Sequence, residues 1–314
     1  MVFSGSGPEV FSWWRFGGLS RRDFLRQTWN SSFDIDIFSK ASEIAYSFLL
    51  AIFPLLLFTL TLCALFAAAE TTLRQNLFLD LARILPPAAY GLVQHTMDEV
   101  LKNSGGGKLT IGFLLTLIAA SGGVVQAMSS LNAAYELHDR RPWWKVRLIA
   151  AGITAATSLL LVFLLLAVIV GRHFVGRAVQ DWGFSPLLIR VWEGLDWVVV
   201  AAFLLVLLGI INYFGPDLDE RRWYWFTPGS LLSLFLWLVA SLGLRLYVHY
   251  FNNFTKAYGS LGAVIILLLW FYVGGLATLI GGVVNGVIIR ATVAYRQENS
   301  KTKLRQDPER LRAA

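Results

Sequence analysis

Residues that could carry out chemistry are few and widely separated in this sequence. The four histidines, at positions 95, 138, 173 and 249, form no His-x-x-x-His pair, and the single cysteine, Cys63, has no neighbouring ligand. A compact zinc site would need such spacing. The one acidic cluster, at 217–220, is followed directly by Arg221 and Arg222, which neutralise it. The sequence therefore predicts no catalytic residue, no metal site and no cofactor, and favours a protein that is not an enzyme.

Polar side chains inside apolar runs are the remaining candidates, because they are costly in a bilayer and often belong to a transport pathway. One glutamate and three asparagines lie near one set of run ends, where they could line a polar vestibule. An aspartate and an arginine lie near the opposite ends, where they could pair. The alternatives are that these side chains reach the headgroups, or that Glu43 pairs with Lys40 three residues earlier. The substrate-pathway candidates are Glu43, Asn132, Asn212, Asn285, Asp196 and Arg245.

The composition identifies the elements that must position these residues. Of the 314 residues, 56% are apolar and 15% charged, whereas a soluble domain carries about 25% charged residues. Six uncharged runs reach the roughly 20 residues that cross a bilayer as a helix. We expect an all-α, polytopic membrane protein with a membrane domain over residues 41–290. Its six transmembrane helices are predicted at about 42–69, 109–135, 147–171, 195–215, 227–250 and 259–289.

Basic residues predict the orientation of these spans, because short cytoplasmic loops keep an excess of lysine and arginine. With both termini in the cytoplasm, 18 basic residues lie on that side and 8 on the other, and Arg245 lies within a span. The net charge of +7 therefore flanks the membrane. We expect membrane lipids as partners, and no nucleic acid.

Three segments outside the spans have distinct patterns. Residues 1–40 form a cytoplasmic segment in which apolar residues among charges indicate a candidate interfacial helix. Residues 70–108 have the pattern of an amphipathic helical hairpin on the extracytoplasmic side, broken at Pro86-Pro87. The basic tail at 291–314 is predicted to be disordered. The first apolar run is too long for a signal-peptide core, so we expect no cleaved leader.

Small residues recur every four positions along the sixth predicted span and form a ridge that lets helices approach closely. We expect Gly282 at a helix–helix contact, and Val283, about 100° round the helix, to tolerate a larger side chain better. Trp237 and Trp270 lie deep in their spans, where they either pack or line an internal cavity. The helix-packing candidates are Gly274, Thr278, Gly282 and Gly286.

Several segments together resemble the YihY/BrkB family of bacterial inner-membrane proteins. The resemblance covers roughly residues 20–290 and rests on the order and spacing of four stretches. These are ASEIAYSFLLAIFP at 41–54, 121–147 with Asn132, Tyr135 and Arg141-Pro142, 213–229 with Pro216 and Pro228-Gly229, and 258–285 with Gly259, Trp270 and Gly281.

This resemblance implies six transmembrane helices and a place in the bacterial cytoplasmic membrane. A ribonuclease BN label has travelled with the family, and the name BrkB links some members to serum resistance, but neither implies a mechanism. Where the family often has Gly-Ala-Glu before Leu-Asn, this chain has Gly281-Gly282-Val283. A role that this glutamate has in the family is therefore not expected in this chain.

Two classes of function fit these observations. Intramembrane polar residues, the small-residue ridge and the lack of a catalytic motif favour transport or lipid translocation across the membrane. The alternative is a non-catalytic cell-envelope scaffold whose polar residues satisfy one another and whose tails recruit partners. A ribonuclease is disfavoured as a third reading. The sequence names no substrate, and a second copy of the chain is a candidate partner.

Overall fold

The computed structural model describes residues 17–67, 107–181, 187–218, 227–250 and 260–306, and within these ranges it contains helices and no strand. Helix α1 is short and precedes six long helices. The helices are α1 Arg21–Asp34, α2 Ile37–Ala67, α3 Gly107–Ala134, α4 Trp143–Asp181, α5 Leu187–Phe214, α6 Pro228–Tyr250 and α7 Ser260–Gln306.

Five of these helices contain a stretch long and apolar enough to cross a membrane. They are Ile37–Leu56, Leu114–Ala134, Trp143–Leu164, Pro228–Tyr247 and Val264–Tyr295, and a shorter apolar stretch, Val198–Phe214, lies in α5. Large apolar side chains such as Phe53, Phe235 and Leu242 point outward and are exposed. Outward-facing apolar surface on long helices belongs in lipid. The molecule is therefore a multi-pass membrane protein.

The long helices pack in a closed circuit. Each of α2 to α6 contacts the next helix along the chain, and α7 returns to contact α2. Further contacts join α2 to α4 and α3 to α7. The first and last long helices are therefore neighbours, and the inward faces of the circuit can enclose a common interior.

Helix α1 lies against α7 near Arg290 and leads directly into α2. The hydroxyl of Ser20 accepts a hydrogen bond from the backbone N–H of Asp23 at 3.2 Å and so caps α1. Phe24 and Ser31 form its buried face. Asp36 has φ 50°, a left-handed conformation that Asp tolerates better than most residues, and it ends one helix before the next begins.

The C-terminal helix differs from the expectation. Helix α7 is 47 residues long, or about 70 Å at the α-helical rise, whereas the hydrocarbon core is about 30 Å thick. Residues 291–306, expected from the sequence to be disordered, continue this helix. The reason is local: Ala, Arg, Gln, Glu and Lys, all good helix formers, follow Arg290 without a Gly or Pro. The expected hairpin at 70–108 lies outside the described residues except for Gly107 and Lys108, which begin α3.

Candidate functional site

Asn285 joins α7 to the first turn of α6. Its side chain is fully buried. The Oδ1 atom accepts a hydrogen bond from the backbone N–H of Gly229 at 3.0 Å, and Nδ2 donates to Thr227 Oγ1 at 3.0 Å. The first N–H groups of a helix have no partner within the helix. Asn285 therefore supplies, from another helix, an acceptor that α6 cannot provide for itself.

The crossing beside Asn285 depends on two glycines. A Cβ atom added to Gly229 would collide with the carbonyl oxygen of Gly281, and one added to Gly281 would collide with that of Gly229 and with the Ser233 hydroxyl. The two backbones are therefore nearly in contact, and only glycine fits at either position. This contact fixes the distance between α6 and α7.

Tyr135, at the end of α3, links two of the asparagines. Its hydroxyl donates to Asn212 Oδ1 at 3.1 Å and also contacts the side chain of Asn285. Asn212 Nδ2 in turn donates to the carbonyl of Leu208, one turn earlier in α5, at 2.8 Å. We call Asn132, Tyr135, Asn212 and Asn285 the asparagine cluster. All four side chains are buried and meet protein partners.

Asn132 connects two loops at the same end of the bundle. Its Oδ1 atom accepts from the backbone N–H of Asp217 at 2.8 Å, and its Nδ2 atom donates to Asp139 Oδ2 at 2.9 Å. Asp217 follows α5, whereas Asp139 follows α3. A single amide side chain therefore holds the α3–α4 loop against the turn after α5.

Arg141 reinforces this connection. Its side chain is only 4% exposed, and its Nη2 atom donates to Asp139 Oδ2 at 2.7 Å and to the Gly215 carbonyl at 2.8 Å. Hydrogen bonds from Arg141 hold the pKa of the Asp139 carboxyl below its usual range. Asp217 also accepts from the backbone N–H of Arg140 at 3.0 Å. Within the described residues the acidic cluster is thus bonded to arginines of the neighbouring loop, while Asp219 and Glu220 lie outside them.

A second ionic group lies where α1, α3 and α7 meet. Arg290 Nη2 approaches Glu136 Oε1 at 2.8 Å and donates to Ser31 Oγ at 3.0 Å, while Nη1 donates to the Tyr135 carbonyl at 3.2 Å. The hydroxyl of Ser31 donates to the same Glu136 oxygen at 2.8 Å. Arg290 therefore ties α7 to both neighbours directly beside the asparagine cluster.

Glu43 and Arg245 are not part of the asparagine cluster. The Glu43 side chain is exposed and pairs with Lys40 at 2.9 Å, the local pairing that the sequence offered as an alternative. Glu43 also accepts from Gln126 of α3 at 2.7 Å. Arg245 is exposed on α6. Asp196 belongs to α5, but its side chain lies outside the described part of the structure.

The small-residue ridge of α7 faces two different neighbours. A Cβ added to Gly282 would lie 2.9 Å from Leu131 Cδ2, and one added to Gly286 would lie 2.9 Å from the carbonyl oxygen of Ala134, both on α3. A Cβ added to Gly274 would lie 3.3 Å from Trp237 Nε1 of α6. Thr278 donates its hydroxyl to the carbonyl of Gly274 at 2.9 Å.

An apolar cavity of about 200 Å³ lies between α2, α3, α5, α6 and α7. Trp237 and Trp270 stand on its wall, with their ring centroids 5.5 Å apart in an edge-to-face arrangement. Aliphatic side chains of α5 form the opposite wall, and Ser233 and Thr278 are the polar side chains among the lining residues. We call it the tryptophan cavity. Ile211 and Leu131 line the cavity, and Asn212 and Asn132 of the asparagine cluster follow them directly in the chain.

Sequence reasoning missed three residues that organise this region. Tyr135 and Arg141 were visible only as parts of a family-like stretch, because their partners are distant along the chain, 77 residues away for Asn212 and 74 for Gly215. Ser233 gave no signal, since a serine in an apolar helix is ordinary. Among the described residues no group of three His, Cys, Asp or Glu side chains could hold a metal ion.

A bundle of long apolar helices, tied at one end by buried amides and enclosing an apolar cavity, defines a class of multi-pass α-helical membrane proteins. Residues 29–306 match the family model described as virulence factor BrkB, and the chain belongs to that family. The match confirms the resemblance noted in the sequence. No solved structure matches the chain.

Two relatives illustrate the range of the family. The "Putative ribonuclease-like protein YfkH" of Bacillus subtilis (strain 168) is 32% identical over 251 residues, covering 80% of this chain and 89% of that protein. The "UPF0761 membrane protein" of Xanthomonas oryzae pv. oryzae (strain PXO99A) is 24% identical over 267 residues, covering 82% of this chain. The chain spans only 59% of the length of that second relative.

Proposed function

We propose that this protein moves lipids, or molecules with a lipid-like apolar part, across the bacterial cytoplasmic membrane. The observation that supports the proposal is the tryptophan cavity, an apolar space lined by residues of five helices. An apolar lining favours an apolar passenger over an ion or a sugar. Of the two kinds of transport considered from the sequence, lipid translocation therefore fits better.

The proposed topology has six transmembrane helices with both termini in the cytoplasm. Helix α5 would also cross the membrane and bring the number of spans to six, because its 28 residues extend to about 42 Å. The distribution of basic residues puts the asparagine cluster at the cytoplasmic ends of the helices. The segment that joins α2 to α3 would then lie on the extracytoplasmic side.

Helix α1 would lie in the cytoplasmic headgroup layer. Its outward stripe carries Leu25, Trp29 and Phe33, and Trp29 is 67% exposed. Arg22 and Arg26 lie beside this stripe and suit anionic headgroups. The opposite face of α1 is anchored on the bundle through Phe24 and Ser31, so the stripe would rest on the membrane while the helix stays attached.

In this mechanism the asparagine cluster acts as the closed cytoplasmic gate. The Tyr135–Asn212 bond joins the end of α3 to α5, and the Asn285–Gly229 bond joins α7 to α6. Opening toward the cytoplasm would separate Tyr135 from Asn212. Each net hydrogen bond contributes about 1 kcal/mol, so a few such bonds can hold the gate closed while leaving an open state accessible.

The proposal is tested by lipid movement in reconstituted vesicles. Vesicles carrying a fluorescent phospholipid in both leaflets are treated with a membrane-impermeant quencher, and the fluorescence protected in the inner leaflet is followed. With the protein present, we expect this fraction to be lost faster than in protein-free vesicles. If both preparations lose it at the same rate, the proposed function is refuted.

A matched pair of variants tests the gate. Tyr135→Phe removes the bond to Asn212, so the open state should gain about 1 kcal/mol and lipid movement should rise about fivefold. Tyr46→Phe removes the same atom from an exposed tyrosine of α2 and should leave the rate unchanged. An equal effect of both substitutions would refute the gate.

The scaffold remains the second candidate, because the amide groups of the asparagine cluster find protein partners, as a rigid structural bundle would need. Absence of lipid movement together with copurifying envelope proteins would favour it. The name of the Bacillus relative also makes ribonuclease activity worth testing. We expect purified protein not to cleave RNA, because Asp217 is engaged by Arg140 and Arg141. Cleavage that is lost in Asp217→Asn would contradict this.

A further inference from the structure

We propose that Lys40 and Glu43 of α2, together with Gln126 of α3, bind a zwitterionic phospholipid headgroup that carries a primary ammonium, as phosphatidylethanolamine does. We call these three side chains the headgroup site. The inference rests on the proposed function, because it names a headgroup for the lipid and uses the same membrane orientation. It nevertheless concerns binding, which can be measured without any movement of lipid across a bilayer.

The headgroup site holds two opposite charges side by side. Lys40 Nζ donates to Glu43 Oε1 at 3.0 Å and to Oε2 at 2.9 Å. Gln126 Nε2 donates to the same Oε2 atom at 2.7 Å and also contacts Ser130 Oγ at 3.4 Å. The Glu43 carboxylate is therefore held in place from two helices rather than by its local partner alone.

Each charge keeps a bonding position for a ligand. An ammonium group has three N–H donors, and a carboxylate has about four lone-pair positions. Within the described part of the chain, Lys40 uses two donors and Glu43 uses three positions in the bonds given above. Their side chains are 31% and 44% exposed. The remaining donor and acceptor can therefore meet a molecule from outside the protein.

The surroundings of the site indicate a lipid as that molecule. Glu43 lies in the second turn of α2, and Tyr46 and Leu50 follow it on the same outward side, where both are exposed. In the proposed orientation this turn is near the cytoplasmic surface of the membrane. A half-exposed charge pair that faced hydrocarbon would be costly. Phospholipid headgroups supply charged partners at this level.

The chemistry of the site selects among headgroups. The charges of Lys40 and Glu43 cancel, so the site favours a neutral zwitterion over an anionic headgroup. A lipid phosphate would accept a hydrogen bond from Lys40, and a primary ammonium would donate one to Glu43, both of them charge-assisted. A choline headgroup has no N–H to donate. Ethanolamine should therefore be preferred to choline.

The headgroup site shares its two helices with the tryptophan cavity. Ile44 and Ala127 line that cavity, and they follow Glu43 and Gln126 directly in the chain. Glu43 is exposed on the outward side of α2, whereas Ile44 is buried. A lipid held at the headgroup site would thus be bound by the same pair of helices that forms one wall of the cavity.

The test uses delipidated protein in detergent, titrated separately with dioleoyl phosphatidylethanolamine, phosphatidylcholine or phosphatidylglycerol. Native mass spectrometry counts the bound molecules. We expect one saturable phosphatidylethanolamine per chain, bound about tenfold more tightly than either of the other lipids, the worth of one hydrogen bond to a charged group. If phosphatidylethanolamine binds no more tightly than one of the others, the inference is overturned.

A pair of variants locates the ammonium. Glu43→Gln keeps the shape of the side chain and removes its charge, so the affinity for phosphatidylethanolamine should fall about tenfold, to that for phosphatidylcholine. Asp34→Asn makes the same change at an exposed carboxylate of α1 and should leave the preference intact. Melting profiles establish that both variants are folded. A preference that persists in Glu43→Gln would place the lipid elsewhere and overturn the inference.

A further variant locates the phosphate. Lys40→Gln should weaken phosphatidylethanolamine and phosphatidylcholine alike, because both lipids carry the phosphate. Unchanged affinity for phosphatidylcholine would overturn the role of Lys40. Preferential binding of phosphatidylethanolamine without lipid movement in vesicles would refute the proposed function and leave this inference standing. Lipid movement by a protein that shows no such preference would do the reverse.

Discussion

The side chain of Asn285 on α7 accepts a hydrogen bond from the backbone N–H of Gly229, in the first turn of α6. The two residues are 56 positions apart in the chain. The bond satisfies a buried donor that would otherwise lack a partner, and it does so at the point where the two helices approach most closely. Both the stability of the bundle and the position of the cavity wall depend on it.

Asn285→Ala should therefore destabilise the protein strongly. The substitution leaves the Gly229 N–H without its acceptor and removes the donor to Thr227, and an unsatisfied buried group costs about 1–3 kcal/mol. We expect a clear fall in the detergent melting temperature. Asn30→Ala, at an exposed asparagine of α1, is the control and should melt like the parent. Equal melting of both variants would show that the Asn285 contacts do not contribute to stability.

Gly282→Leu should destabilise the bundle by overpacking. Even a Cβ atom would lie 2.9 Å from Leu131 Cδ2, and extra bulk in a packed interior typically costs about 1–3 kcal/mol. Gly243→Leu is the matched control, because a Cβ there meets nothing within 4 Å. Thermal melting of the two variants makes the comparison. A Gly282→Leu protein as stable as Gly243→Leu would exclude a packing role for the ridge at this position.

The Asp139–Arg141 pair predicts a dependence of stability on acid. Arg141 lowers the pKa of Asp139 in the folded protein, so folding favours the ionised carboxylate. This stability is present above the unfolded value of about 3.9 and is lost as pH falls through the lower folded pKa. The melting temperature should fall between about pH 5 and pH 3. In Asp139→Asn the fall should be shallower, and identical profiles would contradict the assignment.

The proposed topology predicts opposite locations for two reporter fusions. A reporter inserted after Lys256 should be extracytoplasmic, and one at the C-terminus should be cytoplasmic, because a single span separates them in the six-helix arrangement. Paired enzymatic reporters that are active on opposite sides of the membrane provide the measurement. The same location for both would refute the six-span topology.

The class of fold could be predicted from sequence because it follows from the lengths of uncharged runs, a property of single segments. Details that depend on contacts between helices could not be predicted in this way. Val283 was expected to tolerate a larger side chain than Gly282, yet it is fully buried. The reason is that α7 has neighbours on several sides, so a step of 100° turns a residue from one partner helix to another rather than toward lipid.

In the candidate site, too, the sequence predicts some features and not others. Polar residues in apolar runs drew attention to Asn132, Asn212 and Asn285, since amide groups in a membrane need partners. Which partners they have depends on distant loops and helix ends, and these were not visible. Glu43 shows the reverse case, because its contact with Lys40 is local and could be anticipated. The tryptophan cavity arises from five helices together and has no signature in any one of them.

The closed circuit of helices also constrains how the protein can be made. Helix α6 is synthesised before α7. The Gly229 N–H in its first turn therefore has no acceptor until Asn285, on the later helix, has been made. Until then α2 also lacks its contacts with α7. A nascent chain ending before Asn285 should therefore be an unfinished bundle in which the Gly229 N–H lacks its acceptor. The bundle would then be complete only after its last helix has been inserted.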